Sequence, residues 1–455
     1  MVDLAIVGSG SGNSLLTPYW EGKQVAIAES GVFGGTCLNV GCIPTKMFVR
    51  PAQLARTRQE AARLNVELPA GRADFAAIRE RIFSRIDPIS AGGRDYREQA
   101  QNVRLLGHVQ LLDGHTLRTE EGEEIHAQQI VLAAGSRPVL PQIEGIDLPG
   151  VHTSDTIMRI DQPRRLAVIG AGFIACEFAS IFSGLGTEVI QLVRGTRLLK
   201  YLDEEICEAF NQQVSWPVQF DAQPQRITEA GGELSVHTSA GTFAVDAVLV
   251  ATGRQPNSEF TAPAGLDLHE DGRVKVDEYQ RVLRGGEPVA GLYALGDICS
   301  EQQLKHAANY QARVVAHNLE HPQDLRTASQ RAVPAAVFTH PEIAHVGLTE
   351  AEAREQIGEH LTVKTQKYGD TAYGWAMEDA EGLFKVLADK RDGRILGAHV
   401  IGYEAANLIQ PLVTAMNLGI DAHKMARGQY WIHPALMEVA ENALLGLDVP
   451  DSGEL

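Results

Sequence analysis

Cysteine is scarce in this chain: five in 455 residues, at positions 37, 42, 176, 207 and 299. That is too few to staple a chain of this length, so a disulfide-framework protein is excluded. Aromatic residues make up only 6%. No apolar run approaches the roughly 18 residues that a membrane-spanning helix needs, so no membrane span is expected. Positive charge is also short, with 40 Lys and Arg against 58 Asp and Glu and a net charge of −18. Such a surface repels a phosphate backbone, so nucleic acid is not an expected partner. The opening "MVDLAIVGSGSG" has neither a basic lead nor a long apolar stretch. No signal peptide is therefore expected, and the protein is expected to be cytoplasmic. No second pair of Cys or His stands at zinc-ligand spacing, so no metal site is expected.

Glycine, by contrast, is plentiful at 44 residues, much of it in turn motifs. The length exceeds what one hydrophobic core holds, so two or three domains are expected. "VDLAIVGSGSGN" is an apolar run followed by Gly8, Gly10, Gly12 and Asn13. It predicts strand, tight turn and helix, the start of a βαβ dinucleotide-binding unit. Glycines there let the backbone approach a pyrophosphate at the positive end of a helix. Glu29 ends the next apolar run, where a carboxylate accepts hydrogen bonds from ribose hydroxyls. Asn13 stands where a third Gly or Ala is usual.

A second unit begins at "RRLAVIGAGFIACEFASIF", with Gly170, Gly172 and Ala175 in the motif. The strand after it ends on Arg194 rather than on an acid, with Arg197 and Lys200 following. A cationic cluster there suits a 2′-phosphate, so NADPH is expected over NADH. "IVLAAGSRP" with Gly135 and "AVLVATGRQP" with Gly253 close the two units alike, which suggests an internal duplication. Alternation in "HTLRTEEGEEIHAQQ" and "GGELSVHTSAGTFAVD" predicts hairpins, so the material between the units reads as β-rich. "GLYALGD" predicts a strand that delivers Asp297 to a sugar or ribitol hydroxyl. "QLKHAANYQARVVAHNL" predicts a helix whose N-terminus favours negative charge on a reduced cofactor. After residue 330 the pattern is that of an antiparallel sheet with helices.

Cys37 and Cys42 lie in "GGTCLNVGCIPTK". On a regular helix that spacing puts the Cα atoms roughly 8–9 Å apart. A disulfide needs about 4.4–6.8 Å. The pair can be bridged only if the chain is distorted between them, and Gly41 permits that. Pro44 suits the first turn of a helix, which places Cys42 at a helix N-terminus with Lys46 one turn on. Both features favour a thiolate. So small a loop restricts the unfolded chain little, so a structural staple is a poor explanation. Redox chemistry remains. Near the C-terminus, "WIHPALMEVAENALLGL" places His433 at an expected helix start with Glu438 one turn in. A carboxylate beside an imidazole suits a general acid–base, although His-Pro at a helix start is by itself more often structural.

Two nucleotide units, the cysteine pair and the His-Pro…Glu segment together resemble the pyridine nucleotide–disulfide oxidoreductases over the whole length, with "GGTCLNVGCIPTK" the most specific match. The resemblance implies an α/β fold with two Rossmann-like domains, for FAD and NADPH, and a C-terminal α+β dimerisation domain. The expected division is 1–148 and 271–330 for FAD, 149–270 for NADPH and 331–455 for dimerisation. It implies FAD bound by the first unit, with Glu29, Gly35, Thr36, Gly135 and Asp297, and NADPH by the second, with Gly253. Cys42 would face the flavin as a charge-transfer thiolate, and Cys37 would be the outer, interchange thiol. Lys46 would lie near the flavin, paired with Glu177. Phe173 would replace the Tyr lid of many relatives. His433 and Glu438 would act on Cys37 of the other subunit, so a homodimer and a small-molecule disulfide substrate are implied. An NAD-linked lipoamide dehydrogenase type is the nearest alternative, opposed by the cations at 194, 197 and 200. A flavoprotein without disulfide turnover is the other, opposed by the intact cysteine pair.

Overall fold

Leu4, Ala5 and Ile6 are completely buried because strand Val2–Val7 lies mid-sheet with both faces covered. It pairs in parallel with Val25–Ala28 on one side and Glu124–Leu132 on the other. Val103–Leu106 extends the sheet in parallel at one edge; on the other side Glu287–Ala294 adds in parallel, and Arg281–Arg284 closes that edge antiparallel. The protein is seen here in a computed structural model that describes residues 1–69 and 71–453. Continuous apolar strands are what a sheet covered on both faces requires.

A second parallel sheet repeats the plan, in the order Val218–Gln219, Glu188–Leu192, Arg165–Ile169, Ala247–Val250, Val151–Thr153. Its centre, Arg165–Ile169, runs into the glycine turn and the helix Phe173–Gly184. Both sequence-predicted hairpins form: Thr116–Thr119 pairs with Glu124–Leu132, and Glu233–Thr238 with Gly241–Val245. The two closing segments, Ser136–Pro138 and Arg254–Pro256, pair with each other in a two-stranded ribbon. The third sheet is antiparallel, in the order Ala335–Val337, Ile343–Gly347, Ile395–Ile401, Leu383–Asp389, Leu361–Lys367. The helices Gln410–Leu418 and Glu438–Leu445 pack on it through one continuous apolar cluster.

Three local expectations differ. The helix expected after the first glycine turn is instead two short 3-10 segments, Ser11–Leu15 and Pro18–Trp20. Gly12, Asn13 and Ser14 are weak helix formers, and Pro18 then blocks extension. The stretch between the units is not chiefly β. It carries two long helices: Cys42–Arg63, which starts where Pro44 marks it, and Phe75–Glu98; internal Pro51 and Pro88 hide the length of the first and the whole of the second from the sequence pattern. His433 does not open a helix: the peptide to Pro434 is cis, and the helix begins only at Glu438.

Candidate active site

The chain breaks at Val40 and Gly41, between the short helix Gly35–Asn39 and the helix Cys42–Arg63. A Cβ at Gly41 would lie 2.9 Å from the Thr36 carbonyl oxygen, so only glycine lets the second helix start this close to the first. Cys37 therefore sits on one short helix and Cys42 on the first position of the next. Both are free thiols, and each bears on the other's proton affinity.

The thiols are unequal. Cys42 is lowered to about 7, first by the hydrogen bond from Cys37 and then, against burial, by the Lys46 charge. Cys37 is raised above the ordinary thiol range by the same hydrogen bond and by burial, while the Lys305 charge opposes the rise. Both shifts favour the proton on Cys37 and the negative charge on Cys42 in the reduced pair. A helix N-terminus at Cys42 favours the same distribution.

Lys46 is fixed from the other Rossmann unit. Its ammonium donates to both Glu177 oxygens, at 2.8 and 3.0 Å. Glu177 is buried in the helix Phe173–Gly184 and also accepts from the Phe338 N–H at 2.9 Å. The Phe338 ring lies 4.4 Å from the Lys46 ammonium. One ion pair therefore ties together the cysteine helix, the second unit and the segment that follows the third sheet's first strand.

Both cysteines line a cavity of about 830 Å³. Gly8, Gly10, Glu29, Gly35, Thr36 and Lys46 line it from the first unit. Gly135 and Asp297 line it from the ends of the neighbouring strands, and Phe173 and Glu177 from the second unit. Glu29 is engaged locally: its carboxylate accepts from the Ser9 hydroxyl at 2.7 Å and the Gly31 N–H at 2.8 Å. Asp297 accepts from the Ser136 hydroxyl at 2.6 Å. Phe173 is 37% exposed at the rim.

Other sequence-selected residues lie apart from this cavity. Gly12 is buried under the turn, and Asn13 turns away to accept from Arg97 Nε at 2.9 Å. Gly170, Gly172 and Ala175 shape the second glycine turn, and Gly253 sits at the neck between the two units. Arg194 and Lys200 are exposed beyond that turn, whereas Arg197 is held by Glu204 at 2.6 Å. His433 Nδ1 lies 2.5 Å from Glu438, and its side chain is 72% exposed. Among the described residues, none after Ala308 lines the cavity. The imidazole and the cysteines of one chain therefore occupy separate surfaces.

Residues 2–313 match the model of the family described as pyridine nucleotide-disulphide oxidoreductase, and 333–444 match that family's dimerisation domain. The chain belongs to the pyridine nucleotide-disulphide oxidoreductases. It is 48% identical to mycothione reductase of Mycobacterium tuberculosis, over 98% of this chain and 99% of that one. It is 32% identical to glutathione reductase of Burkholderia cepacia, over 91% and 92%. Among solved structures it resembles the HOCl-induced flavoprotein disulfide reductase RclA of Escherichia coli, with a TM-score of 0.84 and 27% identity over 98% and 99%. The motifs "GSGSGNSLL", "CIPTKMFV", "LKHAANY" and "KMARGQYWIHPAL" resemble mycothione reductase within the family, and the 48% identity agrees. The dimerisation-domain match makes the chain a homodimer.

Family membership implies FAD and NADPH, and the cavity fits the first. A Cβ at Gly35, which has φ +72°, would come 2.7 Å from the Gly10 Cα, so the glycine turn and the cysteine helix meet with room only for bare backbone. Asn39 Oδ1 is buried at the cavity wall with no partner. Residues that the sequence reading missed are Ser136, which holds Asp297, Phe338, which braces Lys46, and Lys305. Only Lys305 left a signal in the sequence: a lysine at the expected start of a helix runs against the helix dipole.

Proposed function

We propose that this homodimer is an NADPH-dependent, FAD-containing disulfide reductase that converts mycothione to two molecules of mycothiol in the cytoplasm. The unequal Cys37–Cys42 pair inside the glycine-walled cavity carries this reading. The near-full-length likeness to mycothione reductase supports the choice of disulfide. No described helix is long and apolar enough to cross a membrane.

Residues 1–148 and 271–330 would hold FAD through Gly8, Gly10, Gly12, Asn13, Glu29, Gly35, Thr36, Lys46, Gly135 and Asp297. Residues 149–270 would hold NADPH through Gly170, Gly172, Ala175, Arg194, Arg197, Lys200 and Gly253, with Phe173 at the nicotinamide face. Residues 331–455 would form the dimer interface. The Cys37–Cys42 disulfide would receive two electrons from FAD held in this cavity, with NADPH as their source. Lys46, held by Glu177, keeps the charge of the opened pair on Cys42. His433 of the partner subunit takes the Cys37 proton, oriented by its own Glu438. The Cys37 sulfur attacks one sulfur of the substrate, the substrate S–S bond breaks, and the leaving thiolate takes that proton from the imidazole. Cys42 then attacks Cys37 in the mixed disulfide, restores the intramolecular bridge and releases the second thiolate, which is protonated as it leaves.

Turnover of mycothione, glutathione disulfide and dihydrolipoamide, each with the NADP and NAD forms of the nucleotide, tests the assignment. Mycothione with NADPH is expected to dominate. Preference for dihydrolipoamide with NAD would overturn the substrate while leaving the dithiol chemistry.

A further inference from the structure

Lys305 breaks a local rule. It is the first residue of the 16-residue helix Lys305–Glu320, where the unpaired N–H groups already make the end positive. A cation there is disfavoured unless something negative faces it. The Leu304 side chain supplies no cap. The ammonium donates to the Ser11 hydroxyl at 2.8 Å and meets no carboxylate among the described residues. A neutral hydroxyl does not offset the misplaced charge. A cation at such a position, on the wall of the cavity that fits FAD, marks a functional position.

What Lys305 faces is the cavity that holds Cys37. Ser11 follows Gly10, which packs against Gly35 at the start of the helix that carries Cys37. Lys305, Ser11, Thr36 and Cys37 thus line the same cavity, linked through the Lys305–Ser11 hydrogen bond and the Gly10–Gly35 contact. Cys42 has its own cation, but Glu177 shares Lys46 and offsets part of its charge. Among the described residues, Lys305 is the side-chain charge that favours ionisation of Cys37, beside the Ile43 backbone N–H.

We propose that Lys305 is the positioning residue of the outer thiol: held on Ser11, its ammonium stabilises the Cys37 thiolate while that sulfur attacks a substrate disulfide. The proposal rests on the reading of Cys37 as the attacking thiol. In that step the Cys37 proton goes to His433 of the partner subunit. The thiolate electron pair forms the new S–S bond, the substrate bond breaks, and its far sulfur leaves with the electron pair. Lys305 transfers no proton and acts as a fixed charge. The two sulfurs then have separate cations, Lys46 for Cys42 and Lys305 for Cys37. That arrangement lets the outer thiol become nucleophilic without taking charge from the inner one.

The test is the pH profile of Cys37 alkylation by iodoacetamide in the two-electron-reduced holoenzyme, read by mass spectrometry. Lys305→Met is expected to slow Cys37 alkylation about tenfold near neutral pH and to move its midpoint upward, with the Cys42 profile unchanged. Lys305→Arg, which keeps the charge, is expected to stay within about threefold of the parent protein. If the methionine variant folds poorly, as judged by loss of flavin absorbance, Lys305→Gln replaces it with the same expectation. A Cys37 profile that superimposes on the parent's, or an equal loss in the arginine variant, overturns the proposal. Cys37→Ser separates the two levels. If it keeps disulfide turnover, the dithiol reading itself fails. If it abolishes turnover while the Lys305 variants leave Cys37 unchanged, only the Lys305 assignment fails.

Discussion

The Lys46 ammonium lies 2.8 Å from the Glu177 carboxylate, and this contact spans two nucleotide-binding units that are otherwise separate sheets. Glu177 is nearly buried, so it cannot be left alone without cost. Lys46→Met would remove the cation beside Cys42 and leave a carboxylate there. The thiolate fraction on Cys42 should fall about tenfold near neutral pH. The long-wavelength thiolate–flavin absorbance of the reduced enzyme measures this directly.

The Cys42 value of about 7 sets a pH dependence. The thiolate is the form present above that value, and it is lost as pH falls through it. Charge-transfer absorbance in the reduced enzyme should therefore rise with pH around neutrality. A flat profile from mildly acidic to alkaline pH would contradict the inequality of the two thiols.

His433 is held by Glu438 at 2.5 Å, and the second Glu438 oxygen is buried without a partner. Glu438→Gln keeps the shape and removes the charge. It should lower kcat for disulfide reduction about 10²-fold, within the usual range for a general acid–base. Reduction of the flavin by NADPH should continue at the parent rate, as seen by stopped-flow absorbance.

Among the cations at the second glycine turn, Arg197 is engaged by Glu204 and Arg194 is not. Arg194→Leu should raise KM for NADPH about tenfold, the loss of one charge-assisted contact. KM for NADH should stay within about twofold. Equal losses for both nucleotides would remove the 2′-phosphate role.

A second buried ion-pair cluster bears on stability. Lys385, only 3% exposed, lies 2.8 Å from Asp203 and 2.7 Å from Glu350, bridging the second unit to the third sheet. Burial pushes the Asp203 carboxyl up, but the hydrogen bonds from Lys385 and the Glu350 N–H outweigh it and hold it below its ordinary value. Its stabilising share is therefore complete above about pH 4 and is lost as pH falls through the depressed value. Lys385→Met would strand Asp203 and should cost about 3–5 kcal/mol, measured by urea unfolding.

Both glycine turns, the cysteine pair and the closing strands were legible in the sequence because each needs a particular residue type at a particular spacing. Gly41 was readable for the same reason: only a residue without a side chain permits the break between two helix starts. Pro44 marked the start of the helix Cys42–Arg63, but its length and the whole of Phe75–Glu98 were not legible, because tertiary packing overrides the local penalty of Pro51 and Pro88. The missing helix after Gly12 was hidden in the opposite sense, by a fingerprint that usually opens one. Partners such as Ser136 and Phe338 depend on contacts between distant segments, which spacing does not encode.

The central claim is that each active site joins Cys37 of one chain to His433 of the other. A mixed dimer of one Cys37→Ser subunit and one His433→Gln subunit tests it most directly. Such a dimer keeps one site with both groups intact, so about half the parent turnover is expected from two individually inactive variants. Absence of turnover in the purified mixed dimer would contradict the shared site.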